Sequence, residues 1–205
     1  MSVINKKEEL INCIVKNIIP SSINNYIQFY SNGKEPYYKM SNFNYIKDGI
    51  YFRGLKFNST EHAFQAQKYI LEDKIRFSVN GDLGGWNGFK LVNDKDVNFW
   101  KKKDNIGIVA KMATDKKRGI KLGLRRNKDF ESTMDLWIEI LLLKYKKPEY
   151  KKILLSTNNL YLLEFDRGAK NKSSKWAGII QNGVLYGDNL MGIYHMIVRN
   201  IIRKN

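Results

Sequence analysis

A single cysteine, Cys13, stands in a chain of 205 residues, and it sets the terms on which the chain can fold. No intramolecular disulfide can staple it, and neither a four-thiolate zinc site nor a paired-thiol redox centre can form. The fold must come from burying apolar surface instead. The composition suffices for this, with 43% hydrophobic and 13% aromatic residues, well above what charge-dominated disordered chains carry. The length suits one domain with a terminal extension. Such sparing use of thiols points to a reducing, cytoplasmic compartment. The first twenty residues carry Lys6, Lys7, Glu8 and Glu9 ahead of a mixed apolar pattern, so no signal peptide is expected. No uncharged run is long enough to span a membrane, and no membrane partner is expected.

No repeat, heptad array or Pro/Gly/Ser linker interrupts the chain, and Pro20, Pro36 and Pro148 act as local punctuation. Residues 5–19 carry apolar side chains near helical spacing up to Pro20, which predicts an accessory N-terminal helix within residues 1–25, followed by one domain over 26–205. Tyr26 to Tyr30 and Gly49 to Phe57 alternate loosely, as short strands do. Asn58 followed three residues later by Glu61 predicts a capping box opening a helix. Further helices are expected over 94–117, 130–146, 148–156 with Pro148 in its first turn, and 189–203. FSVNGDLGGWNG, residues 77–88, reads as a loop with tight turns. Asn159 to Phe165 reads as a buried strand, and Asn182-Gly183 between apolar runs signals a hairpin. The expected fold is a helix-rich α+β single domain with a few short antiparallel strands.

The chemistry concentrates on the helix that opens at Glu61. At about 100° per residue, Glu61, Gln65, Lys68 and Glu72 fall within one narrow stripe, crowded by the aromatics His62, Phe64 and Tyr69. A solvated face with favourable Glu–Lys spacing would have this pattern too. The rings and the nearby Ser41-Asn42-Phe43 cluster argue for a site, where a desolvated lysine becomes a nucleophile toward a sugar aldehyde carbon. A second region lies near the C-terminus: Glu164 ends an apolar strand, Asp166 follows, and Trp176 stands before the hairpin. In GDNLMG, residues 187–192, Asn189 can cap the last helix or, with the helix-start N–H groups, hold a phosphate. His62 and His195 are the only histidines, too few for a histidine metal cage, so no metal is expected; no P-loop or GxGxxG motif supports phosphoryl or hydride transfer, and no cofactor is expected.

The net charge of +16, from 36 basic and 20 acidic residues, suits a polyanionic partner such as nucleic acid. Only eight of the basic residues are Arg, and the chain is also rich in Asn and Ile, so coding bias accounts for part of the lysine surplus. A non-catalytic binding module, with Tyr37, Tyr38, Trp86 and Trp176 stacking on bases, is the rival to an enzyme. The pairing of acids with an amine favours the enzyme, because a binder of anions gains nothing from Glu61 and Glu164.

In order along the chain, Ser41-Asn42-Phe43, Asp48-Gly49, Glu61-His62 with Gln65 and Lys68, Leu163-Glu164, Trp176 with Gly178, and Gly187-x-Asn189-x-x-Gly192 resemble the NADAR superfamily of YbiA-like proteins over about residues 37–203. The resemblance implies a helix-rich α+β N-glycosidase acting on riboflavin-pathway ribosylamino-pyrimidines or on ADP-ribose attached to guanine. Carried over by position, Lys68, Glu61 and Glu164 become the catalytic candidates. Asn42, Phe43, Gln65, Trp137, Asp166, Trp176 and Asn189 become substrate-binding candidates. The chain departs from the family where an Asp usually stands three residues before a Trp-Gly pair: Ser173 holds that position, Ala177 separates Trp176 from Gly178, and Asp166 is the expected replacement. The substrate so implied contains ADP-ribose or ribose phosphate, with nucleic acid reached through the basic surface.

Overall fold

Two of the strand pairs follow directly from local turn chemistry. In a computed structural model that describes residues 23–92, 97–171 and 174–204, β2 (Ile50–Phe52) and β3 (Leu55–Phe57) form an antiparallel hairpin, and so do β5 (Ile179–Gln181) and β6 (Val184–Tyr186). Both turn pairs, Arg53-Gly54 and Asn182-Gly183, have positive φ at each position, as the twist of a two-residue hairpin requires. The third pair is different in kind. β1 (Tyr26–Phe29) and β4 (Tyr161–Glu164) run parallel, in register from Tyr26 opposite Tyr161 to Phe29 opposite Glu164. Most of the domain lies between these two strands in sequence, so no local pattern announces the pairing.

The helices wrap this small parallel pair. α1 (Thr60–Ala66) begins at Ser59, whose hydroxyl accepts the His62 N–H. The expected cap at Asn58 is therefore displaced by one residue, because Asn58 instead donates its side-chain amide to the Gly84 carbonyl at 2.7 Å. The helix is also shorter than its pattern: it stops at Ala66, and Glu72 sits apart in α2 (Leu71–Ile75), exposed beside Arg125. Glu72 thus leaves the stripe on which the sequence placed it. Residues 77–87 form turns, as expected, leading to α3 (Gly88–Leu91).

The long helix expected over 94–117 is three short ones, α4 (Val97–Lys102), α5 (Gly107–Ala113) and α6 (Lys116–Lys121). Asp104 at positive φ breaks the first junction, and Asp115 caps the third helix by accepting the Lys117 and Arg118 N–H groups. Beyond them, α7 (Met134–Tyr145) is capped by Thr133, α8 (Pro148–Ser156) starts on its proline, and α9 (Leu190–Lys204) closes the domain. The N-terminal helix expected over 5–19 lies outside the described residues.

α9 packs on β4 and α7, while α1 packs between α5 and α7. One continuous core joins Phe29 of β1, Phe57 of β3, Phe64 of α1, Ile140 of α7 and Val198 of α9. Gly192 is what lets α9 lie so close to β4, since a Cβ there would stand 2.1 Å from the Leu162 carbonyl oxygen. The result is a helix-rich α+β domain in which the end of β4 and the start of α1 meet. Among the described residues, no helix is long and apolar enough to cross a membrane.

Candidate active site

The loop Ser41–Asn42–Phe43, which follows a 3-10 turn at Tyr37–Met40, is bound directly to the first turn of α1. The Asn42 carbonyl accepts the Glu61 N–H at 3.0 Å, and the Asn42 side-chain oxygen accepts the Thr60 hydroxyl at 3.0 Å. On its far side the Phe43 carbonyl accepts the Gly107 N–H at 2.9 Å. A Cβ on Gly107 would come within 2.6 Å of the Phe43 Cα and 3.0 Å of the Glu61 Cβ, so α5 can approach only because that residue is glycine. These contacts carry Asn42, Phe43 and Glu61 as one unit.

Glu164 is held with equal care from another direction. Its N–H donates to the Asn189 side-chain oxygen at 2.9 Å, and its carbonyl accepts the Gly178 N–H at 2.8 Å. Lys68 lies just past the end of α1, where its carbonyl accepts the Asn127 N–H at 2.9 Å and its ammonium stands 5.0 Å over the Phe64 ring.

These groups converge on one cavity of about 370 Å³, a volume suited to a small ligand. Glu61, Gln65, Lys68 and Glu164 line it together with Asn42, Phe43, Trp137 and Trp176. Its aromatic wall is a packed cluster: Phe64 stacks on Trp137 with centroids 4.0 Å apart, and Trp176 meets both rings at 6.3 and 5.9 Å. Lys111, Arg126, Phe130, Ser132 and Met191 complete the lining, and no local pattern in the sequence pointed to them. Lys111 sits on α5, whose existence as a separate helix was not legible. Arg126 comes alongside Lys68 because Ile70 and Asn127 tie their two segments together through backbone hydrogen bonds.

Two of the expected substrate-binding residues are elsewhere. Asn189 is fully buried outside the cavity, with its amide donating to the Leu162 carbonyl at 2.8 Å and the Tyr161 hydroxyl at 3.0 Å while its oxygen takes the Glu164 N–H. Every one of these bonds braces β4 against the start of α9, so its side chain has no capacity left for a phosphate. Asp166 does not line the cavity either; it accepts the Gly168 N–H at 2.8 Å and shapes its own turn. Ser173 lies outside the described residues. Of the four aromatics considered for base stacking, only Trp176 lines this cavity.

The charges in the cavity are strained by burial. Burial pushes the Glu164 carboxyl up to about 8, with the neighbouring Glu61 charge adding to it and Lys144 and Lys111 opposing it. Burial likewise raises Glu61, against the pull of Lys111, the Gln65 amide and Lys68. The Gln65 amide donates to the Glu61 carboxylate at 2.6 Å. Burial brings the Lys68 ammonium down to about 8, with Lys111 and Arg126 pushing the same way and Glu61 resisting. Near neutrality the cavity therefore holds a carboxylic acid that keeps its proton and an amine that can shed one. His62 takes no part: its ring bridges the Ser59 hydroxyl and the Leu83 carbonyl, and burial lowers it to about 4. Among the described residues, no group of three or more His, Cys, Asp or Glu side chains is placed to hold a metal ion.

The fold has a solved counterpart. The NMR structure of the Escherichia coli protein YbiA is similar to this chain at a TM-score of 0.53 and 21% identity, covering 89% of this chain and 87% of that one. At that identity the likeness speaks for the fold. No family model matches the chain, and no curated protein matches it.

Proposed function

We propose that the protein is an N-glycosidase that hydrolyses the C1′–N bond of a phosphorylated ribose, releasing ADP-ribose from ADP-ribosylated guanine. The observation that carries the reading is the meeting of a proton-holding acid, Glu164, a second carboxyl, Glu61, and a proton-shedding amine, Lys68, in one aromatic-walled cavity. N-glycoside cleavage needs those parts. The departing nitrogen must be protonated, C1′ must be attacked or its positive charge stabilised, and water must be activated afterwards.

In the mechanism favoured by this arrangement, neutral Lys68 adds to C1′ of the ring-opened ribose, and Glu164 gives its proton to the base nitrogen. The C1′–N bond breaks, the base leaves, and C1′ remains bound to Lys68 as a Schiff base. Glu164, now ionised, takes a proton from water as that water adds to C1′, and the amine of Lys68 departs with the sugar aldehyde released. Glu61 and Gln65, joined by their hydrogen bond, contribute negative charge and an amide beside the developing cation. Lys111 and Arg126 are exposed cations at the same cavity and suit the phosphates of the substrate. The overall charge of +16 extends that preference to substrates carried on nucleic acid.

The test is mass-spectrometric turnover on guanine-ADP-ribosylated DNA, on free ADP-ribosyl-guanosine and on a phosphorylated ribosylamino-pyrimidine, with Lys68→Ala in parallel. Release of ADP-ribose by the native chain and not by the variant is expected, together with a lysine adduct trapped by borohydride. Cleavage of the pyrimidine alone would replace the substrate, and binding without turnover on all three would remove the enzyme reading.

A further inference from the structure

Behind Glu164, away from the cavity, lies a lysine that no feature of the proposed reaction uses. Lys144 is 0% exposed, and its ammonium donates to the Met40 carbonyl at 3.1 Å and the Ser41 carbonyl at 2.9 Å. Tyr150 lies beside it, with the ammonium 5.2 Å over its ring. An ammonium taken wholly out of water costs several kcal/mol unless its surroundings compensate, and an apolar side chain here would pack without that cost. The position belongs to the buried stripe of α7, one turn beyond Ile140 and Leu141 and two turns beyond Trp137, where hydrophobic spacing calls for Leu or Met.

What the lysine touches suggests why a charge stands there. Met40 and Ser41 are the residues that lead into Asn42 and Phe43, which line the cavity. The charged group that faces Lys144 is Glu164, from β4, and the positive charge works to keep that carboxyl ionised. We propose that Lys144 is a positioning residue for Glu164: from behind the cavity it fastens the Met40–Ser41 backbone and sets how firmly Glu164 keeps its proton. The inference rests on the reading of Glu164 as the proton donor of the cavity.

The other titratable groups around the pair are accounted for. His195 of α9 approaches the same Met40 carbonyl with Nε2 at 3.2 Å, while its Nδ1 faces the Met191 carbonyl at 2.8 Å; burial, with Lys144 adding, holds the ring down to about 3, so it stays neutral. Tyr145 of α7 and Tyr150 of α8 are both raised by burial and remain protonated. Glu61 of α1 and Lys111 of α5 face Glu164 from the cavity side and oppose each other in their effect on it. Lys144 is therefore the cation that acts on Glu164 from within the core. Its own ammonium is brought down to about 7 by burial, with Glu164 resisting.

The experiment follows the Glu164 carboxyl directly in the full-length protein by 13C NMR of labelled glutamate, assigned by the signal lost in Glu164→Gln. In Lys144→Met the Glu164 midpoint should rise by about one pH unit or more, since an opposing positive charge has gone, while Lys144→Arg should leave it within a fraction of a unit of the native value. A midpoint unchanged in a folded Lys144→Met overturns the proposal. Where Lys144→Met does not fold, the reciprocal measurement decides: in Glu164→Gln the 15N resonance of Lys144 should titrate about one unit lower than in the native chain, and an unchanged midpoint overturns the proposal. Neither readout requires turnover. Coupled midpoints in a protein that cleaves none of the three substrates would therefore remove the glycosidase reading and leave the Lys144–Glu164 coupling in place.

Discussion

Helices α1 and α9 bury themselves in opposite ways. α9 is fifteen residues long, and what it sets against β4 and α7 is mostly apolar: Met191, Ile193, Met196, Ile197 and Val198. α1 has seven residues, every one of them buried, and four are Thr60, Glu61, His62 and Gln65. Each of these four meets a specific partner: Thr60 and Asn42, Glu61 and Gln65, His62 with Ser59 and Leu83. Burying apolar surface is favourable wherever it fits, whereas a desolvated polar group is tolerated only with its partner in place. The difference teaches that α9 supplies stability and α1 holds chemistry that the rest of the domain must support.

The comparison can be broken most sharply at Lys68, which follows α1. Lys68→Ala should lower kcat/KM by about 1,000-fold or more, worth about 4 kcal/mol of transition-state stabilisation, while leaving the thermal midpoint close to native. Steady-state kinetics beside a melting curve check both halves, and a large loss of stability would show the site and scaffold to be less separable than argued. Ile197→Ala in α9 should do the reverse. It should cost about 3 kcal/mol in denaturant unfolding, as a buried large-to-small change does, with turnover per folded molecule unchanged.

Smaller effects sharpen the same contrast. The folded chain keeps the Glu164 proton up to about 8, whereas the unfolded chain releases it near the ordinary 4.5. Stability arising from that proton is complete below pH 4.5 and lost as pH rises through 8. Glu164→Gln should therefore gain on the native chain by about 2 kcal/mol between those limits, a figure reduced for the water that reaches the carboxyl through the cavity. Urea unfolding at a series of pH values checks it, and parallel curves would contradict the raised carboxyl. Last come the caps. Ser59→Ala in front of α1 removes both a cap and the His62 partner and should cost about 2 kcal/mol, while Thr133→Ala in front of α7 removes a cap alone and should cost about 1 kcal/mol. Equal losses by thermal unfolding would mean that the Ser59–His62 bond adds nothing.

How much could be read beforehand follows the same division. Helix α9, the proline-started α8 and the Asn182-Gly183 hairpin were legible, because periodicity and turn chemistry act within a few residues. Glu61, Gln65, Lys68, Phe43 and Trp176 were named from the motif order and do line one cavity. Asn189 and Asp166 were named on the same grounds, but their hydrogen bonds hold β4, α9 and a turn. The interruption of 94–117 was missed because Asp104 and Gly107 turn to meet Tyr45 and Phe43, contacts that are distant in the chain.

By itself, then, the sequence determined which short segments become helices and hairpins, and which residue types could serve an acid–amine chemistry. Tertiary structure alone decided the parallel pairing of Tyr26–Phe29 with Tyr161–Glu164, and with it that Glu164 stands beside Glu61. It also decided that Lys111 and Arg126 join the cavity and that Lys144 turns inward to the Met40 and Ser41 carbonyls rather than out to water. The physical reason is range. Turns, caps and amphipathic faces are settled by neighbours along the chain, whereas the proton affinity of a carboxyl or an amine is settled by burial and by charges that only folding brings near.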